Sequence, residues 1–234
     1  FLQDLLSQKS INCSFLSLLL DLPSRSVFEN FLNISDPIEV FNRRKELMNI
    51  IGIALQDIFK IKALELYNDE IEVDQRNGER ALLGKMLNYL VLVNNQAGVA
   101  LAKKIILSEN MTLSIIGLKS LCFYGKKPPL DLLNKFYLKW KNHSLVIEKW
   151  FELMSILNVE GEGLCFIKNL LLNESFEYKS PNKIRSVLGS FQKDNTLLFH
   201  ANDASGYNFI SEQVSLIDRH NPQAAARLVL PLTR

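Results

Sequence analysis

Two arginines and one histidine-bearing turn, all near the end of this 234-residue chain, are the residues best placed to do chemistry. Arg185 follows Ser180-Pro181-Asn182-Lys183-Ile184, and Arg227 follows Asn221-Pro222-Gln223-Ala224-Ala225-Ala226. Ser-Pro and Asn-Pro are helix starts: a capping side chain, then a residue that needs no donor in the first turn. The spacing puts each arginine about one turn inside its helix, where a cation opposes the positive end of the helix dipole. Local stability does not account for that placement. A guanidinium at such a position offers parallel N–H donors to a carboxylate or carbonyl, while the plainer expectation is a surface arginine or an internal ion pair. Arg185 and Arg227 are the candidate substrate-binding residues.

Between them lies Phe199-His200-Ala201-Asn202-Asp203-Ala204-Ser205-Gly206-Tyr207. Asn202, Asp203, Ser205 and Gly206 form a polar turn that begins a helix at Tyr207. A lone histidine beside an aromatic reads as packed and hydrogen-bonded rather than catalytic. Zinc peptidase chemistry of the His-Glu-x-x-His kind needs two imidazoles four residues apart on one helix face. The three histidines, His143, His200 and His220, offer no such pair, and no phosphate loop or nucleophile elbow is present. No catalytic residue and no metal ligand is expected here, and the chain alone is expected to be inactive.

Helical periodicity dominates the elements that must position these residues. Ser35-Asp36-Pro37 starts a long helix that carries Leu47, Met48, Ile51, Leu55, Ile58 and Phe59 at spacings of three and four and ends near Tyr67. A polar connector follows over 69–77, and 69–78 is the best candidate hinge. Helices are then expected over 79–93, 99–107, 111–124, 130–140, 145–157, 164–172, 184–191, 207–218 and 224–232. Trp140 to Phe151 reads as a core staple anchored by Trp150 and Phe151, and Tyr207 and Phe209 are likewise expected in the core. Short helices joined by polar turns describe an all-α superhelical array of antiparallel helix pairs, a HEAT/armadillo-like α-solenoid, with a globular bundle as the other solution. A single domain over 1–234 is expected.

Composition narrows the partners. Net charge is +2, which argues against nucleic acid. No run approaches the roughly 18 apolar residues of a membrane span. Three unpaired cysteines, Cys13, Cys122 and Cys165, fit reduced thiols and a cytoplasmic setting. Five Asn-x-Ser/Thr triplets, against roughly two expected by chance, carry little weight as glycosylation signals. Opening on Phe1 inside an apolar pattern suggests a piece of a longer polypeptide.

The run from Ser180 to Pro231 resembles the C-terminal helical domain of bacterial aminopeptidase N, the zinc alanyl aminopeptidase family. Weaker similarity runs through Trp140-Lys141-Asn142-His143-Ser144-Leu145-Val146-Ile147-Glu148-Lys149-Trp150-Phe151 and from Leu22-Pro23-Ser24 to Tyr67. The resemblance implies a curved stack of helix pairs in a longer enzyme that removes N-terminal residues from peptides. It also implies further helices past Arg234. Zinc would be bound in another domain, and Arg185 and Arg227 would project toward the cavity beside the active site. Its partners would be the catalytic domain of the same polypeptide and peptide substrates. One departure stands out: the family turn has glycine where this chain has Ala204, a residue that does not easily reach positive φ. The rival class is a non-enzymatic helical scaffold that binds a protein partner on its concave face.

Overall fold

The computed structural model describes residues 2–8, 10–31, 36–67 and 76–233. All regular structure among them is helical. The helices are α1 (Leu2–Ser7), α2 (Cys13–Leu19), α3 (Arg25–Glu29), α4 (Pro37–Leu66), α5 (Asn77–Leu92), α6 (Gln96–Ile106), α7 (Met111–Tyr124), α8 (Leu130–Trp140), α9 (Ser144–Ser155) and α10 (Leu164–Leu170). Then come α11 (Pro181–Ile184), a π-helical turn (Arg185–Gly189), α12 (Ser190–Asp194), α13 (Thr196–Phe199), α14 (Ser205–Asp218) and α15 (Pro222–Val229), which runs into a 3-10 turn (Leu230–Thr233). The all-α expectation holds, with most boundaries moved by one to three residues. Helices α1, α2, α3 and α13 were not anticipated: they are too short for their periodicity to stand out.

Chain contacts divide the molecule into two compact units, Phe1–Leu132 and Leu133–Arg234. Residues 69–75 of the expected hinge lie outside the described residues.

In the first unit, α4 packs on α5, and α5 also meets α2, α6 and α7. Leu82, Leu83, Met86, Leu87, Leu90 and Val91 bury most of the circumference of α5, as expected of a helix with neighbours on several sides. Caps fix the ends. The Asp36 carboxylate accepts from the Ile38 and Glu39 amides at 2.8 and 3.3 Å beside Pro37, and Asn95 and Asn110 cap α6 and α7. Helices α6 and α7 cross at Gly117, where any Cβ would lie 2.5 Å from the Ala102 carbonyl oxygen. Tyr89 stacks on Phe59 at 5.3 Å and donates to the Leu20 carbonyl at 2.7 Å, tying α5 to the segment after α2.

The second unit has an aromatic core. Trp150 lies 4.6 Å from Tyr137 and 5.1 Å from Phe151, and its indole N–H donates to the Leu133 carbonyl at 3.0 Å. Trp150 and Phe151 are buried, as the staple reading requires. Phe191 meets Phe199 and Phe209, each at 5.8 Å. Phe209 is core, but Tyr207, in the first turn of α14, is 37% exposed, its ring against Phe199 and its hydroxyl at His200.

Candidate functional site

Arg185 rides on a helix that runs without a break from Pro181 to Asp194, widening into a π turn at Arg185–Gly189. The Ser180 hydroxyl accepts from the Lys183 amide at 3.4 Å, as the start signal anticipates. The π turn sits over a buried polar seam. Ser186 donates to the Asn182 carbonyl at 2.9 Å, and the Ser155 hydroxyl donates to Phe151 at 2.7 Å and lies 3.4 Å from the Ser186 carbonyl. Asn195 then donates to the carbonyls of Ser155 and Leu157 at 3.0 and 3.2 Å, closing the frayed end of α9. Such wide turns persist where side chains take up the displaced carbonyls, and they recur at functional sites.

From this frame the Arg185 side chain extends into solvent. Its stem lies against Gly189, where a Cβ would come within 3.3 Å of Arg185 Cγ, and its Nη2 donates to Asn182 Oδ1 at 3.4 Å. Arg227 is also exposed, on α15, whose other face buries Ala224, Ala225 and Leu228. Helix α15 packs against the π turn, and Gln192 donates to the Leu228 carbonyl at 2.9 Å, so the two arginines come from neighbouring elements of one unit. Among the described residues neither arginine forms an ion pair. Each guanidinium therefore keeps donors free for a carboxylate, the ligand its planar fork fits best.

One sequence expectation is corrected here. Asn221 caps α15 as anticipated, accepting from the Ala224 amide at 3.0 Å, but the helix ends at Val229. Arg227 thus occupies the last turn, at the negative end of the dipole, where a cation is favoured. Its placement no longer needs an outside cause. Arg185 lies just beyond the first turn of the longer helix, and there the dipole explains nothing.

The turn between α13 and α14 is corrected twice. The helix starts at Ser205, not Tyr207, and Ala204 does adopt the left-handed conformation, φ 59 and ψ 14. The left-handed conformation is kept without a glycine because the turn is held at both sides. A bond from the Ser205 side chain, and a second from the Ser205 amide at 2.9 Å, hold the pKa of the Asp203 carboxylate below the usual carboxylate range. Gly206 lies against the Leu198 and Phe199 carbonyls. His200 is half-buried, with Nδ1 2.6 Å from the Tyr207 hydroxyl and its ring edge-on to Phe199. That is the packed, hydrogen-bonded histidine the sequence implied.

The residues do not fit a zinc ion. His143 stands at the start of α9, His200 after α13 and His220 after α14, and among the described residues no three His, Cys, Asp or Glu side chains are placed to hold a metal. No described helix is long and apolar enough to cross a membrane.

Sequence reasoning missed a second polar cluster, in the first unit. Leu20, Asp21, Arg44, Lys85, Asn88, Tyr89 and Tyr124 are among the residues lining a cavity of about 20 Å³, room for one water. Arg44 donates to the carbonyls of Pro23 and Leu22 at 2.9 and 3.3 Å, and Lys85 pairs with Asp21 at 2.6 Å. These bonds clamp the segment after α2 onto α4 and α5. Burial pushes the Tyr89 phenol up to about 12. The scattered spacing of these residues left no signal to find.

Residues 1–234 match a family model described as a domain of unknown function (DUF3458_C), ARM repeats. Among curated proteins, aminopeptidase N of Escherichia coli K12 is 31% identical over 92% of this chain and 25% of its own length. Aminopeptidase N of Haemophilus influenzae is 30% identical over 93% and 25%, and that of Caulobacter vibrioides 29% over 94% and 26%. The chain thus spans about a quarter of the length of the curated relatives it matches. A crystal structure of Legionella pneumophila aminopeptidase A in complex with aspartic acid superposes with a TM-score of 0.83, covering 98% of this chain and 28% of that one. At 24% identity this last likeness speaks to the fold alone.

Proposed function

Because the chain belongs to the DUF3458_C ARM-repeat family, the C-terminal domain of aminopeptidase N, we propose that it serves an aminopeptidase that removes N-terminal residues from peptides. The observation that carries this reading is the match along all 234 residues to that family, together with three curated relatives that bear the aminopeptidase N name. The ligand set for zinc belongs outside this chain, in the catalytic domain of the same polypeptide. The domain's own work is enclosure: a wall of stacked helices limits which peptides reach the cleft and slows exchange of water. A cytoplasmic setting goes with that role.

Arg185 and Arg227 act as substrate-binding residues. Their free guanidinium donors take the downstream peptide carbonyls or the terminal carboxylate, holding the far end of the substrate while its N-terminus is cleaved elsewhere. Each charge-assisted contact is worth about 1.4 kcal/mol at an exposed site, or about tenfold in binding. In the full-length enzyme, Arg185→Ala and Arg227→Ala should each raise KM for peptides about tenfold, with KM for short chromogenic amides nearly unchanged. Equal effects on both substrate kinds would refute the contact. A parent reading frame without a His-Glu-x-x-His motif would refute the enzyme.

A further inference from the structure

Helix α4 is apolar on two sides. One side, bearing Met48, Gly52, Phe59 and Ala63, is buried, and α4 packs against α1, α3, α5 and α6. Across the helix from it, Leu47, Ile50, Ile53, Ile61 and Leu64 stand 41, 64, 55, 56 and 54% exposed. Four of them fall with Ala54 on one stripe, since residues 47, 50, 54, 57, 61 and 64 recur at three and four, and Ile53 borders it. Asp57 breaks the stripe but is paired with Lys60 at 3.7 Å. Arg43, bound to Glu39 and Glu46 at 2.8 and 3.0 Å, closes its N-terminal end. A surface helix ordinarily carries one apolar stripe with polar residues opposite, so a second apolar face is one more than its packing within this chain uses. Five large aliphatic side chains on one face are more than the scattered surface leucines any protein carries.

We infer that this face of α4 is the seat on which the remaining part of the parent polypeptide docks, through an apolar, aliphatic-lined surface of its own. The inference rests on the reading above that the chain is one domain of a longer aminopeptidase. Two facts favour a tethered partner over a second copy. The stripe from Leu47 to Leu64 is about 25 Å long and about 10 Å wide. Roughly 250 Å² per partner is far below the ~800 Å² that a stable complex of free proteins buries on each side. A patch that small holds only a partner already at high effective concentration, as a covalently linked domain is. The matched relatives also supply such a partner, since three quarters of their length lies outside the matched region.

The test uses the full-length protein with Cys13→Ser and Cys165→Ser, and labelling is read by peptide mass spectrometry at each introduced cysteine, so that no other thiol of the parent enters the comparison. Ile50→Cys and Ile61→Cys are labelled with a maleimide and compared with Lys45→Cys, which is exposed on another side of α4. The expected result is labelling about tenfold or more slower at both isoleucine sites, the rate of a site that reacts only through rare opening. That slowing should not depend on protein concentration. Equal rates at all three positions would overturn the inference. Slowing that disappears on dilution would overturn it too, because the occupant would then be a second copy. The two sites are read separately, so misfolding of one variant leaves the other to decide. Peptidase activity of the same preparations reports on the parent reading independently: an inactive but protected protein would count against the enzyme and for the docking face.

Discussion

Ala204 and Gly206 should respond to exchange with opposite signs. At Gly206 an added Cβ would lie 2.5 Å from the Leu198 carbonyl oxygen, closer still to that of Phe199, and 2.7 Å from Phe199 Cα. All three obstacles are backbone, so no side chain can swing aside. Gly206→Ala must therefore lever α14 off the end of α13, and overpacking of this kind costs about 1–3 kcal/mol. The bond between His200 Nδ1 and the Tyr207 hydroxyl spans that same junction and should be lost with it. At Ala204 the strain already exists. A left-handed alanine costs about 1–2 kcal/mol relative to glycine in the folded state, while glycine gives back about 0.5–1 kcal/mol through the unfolded chain. Ala204→Gly should therefore stabilise the second unit by about 0.5–1 kcal/mol. Both tryptophans, Trp140 and Trp150, belong to that unit, so indole fluorescence in a urea titration follows its unfolding without the first unit. For a unit of this size about 1 kcal/mol moves Tm by roughly 4–8 °C, so both shifts are measurable. A Gly206→Ala protein with an unchanged urea midpoint, or an Ala204→Gly protein less stable than the parent chain, would refute the description of this turn.

Asn195→Ala should cost about 1–3 kcal/mol in the same titration, since it leaves the buried carbonyls of Ser155 and Leu157 without a donor. Tyr89 is neutral when protonated and its folded pKa is raised, chiefly by burial, to about 12. Its contribution to stability is thus complete below the unfolded value near 10 and is lost as pH rises through about 12. Alkaline unfolding of the first unit, followed by circular dichroism, should move to higher pH in Tyr89→Phe, at about 1 kcal/mol of stability at neutral pH for the lost bond to Leu20. Burial also pushes the Cys122 thiol up, whereas Cys165 is exposed, so iodoacetamide at mildly alkaline pH should modify Cys165 and spare Cys122 until denaturant is added.

The fold was legible where local chemistry and packing agree. Asp36-Pro37, Ser180-Pro181 and Asn221-Pro222 each start a helix, because cap and proline act within one turn and need no tertiary help. Helix ends were less legible. Asn195 and Leu157 lie beyond the helices they help finish, and the bonds that stop α9 and α12 join residues about 40 positions apart. No window of sequence contains such a pair. The π turn was invisible for the same reason: its displaced carbonyl is met by Ser155, far upstream of Arg185. Tyr207 was assigned to the core on aromatic character alone, when its hydroxyl and its place on α14 put it at the rim.

The site divides along the same line. Arg185 and Arg227 were found from their distance to helix starts, and that criterion held for one and failed for the other. Helix length decided the difference. Fourteen residues run from Pro181 to Asp194, so Arg185 stays near the positive end, whereas α15 is only eight residues long and carries Arg227 in its last turn. A dipole argument made from the start alone fixes only half of the geometry, because a short helix brings its negative end within reach of the same side chain. The stronger case for a ligand therefore rests on Arg185, which has an unfavourable local field, one long bond to Asn182 and a glycine beneath its stem. If only one arginine proves to bind peptide, it should be Arg185: peptide KM should rise for Arg185→Ala and stay level for Arg227→Ala. The reverse pattern would show that the local field had no bearing on where the substrate is held.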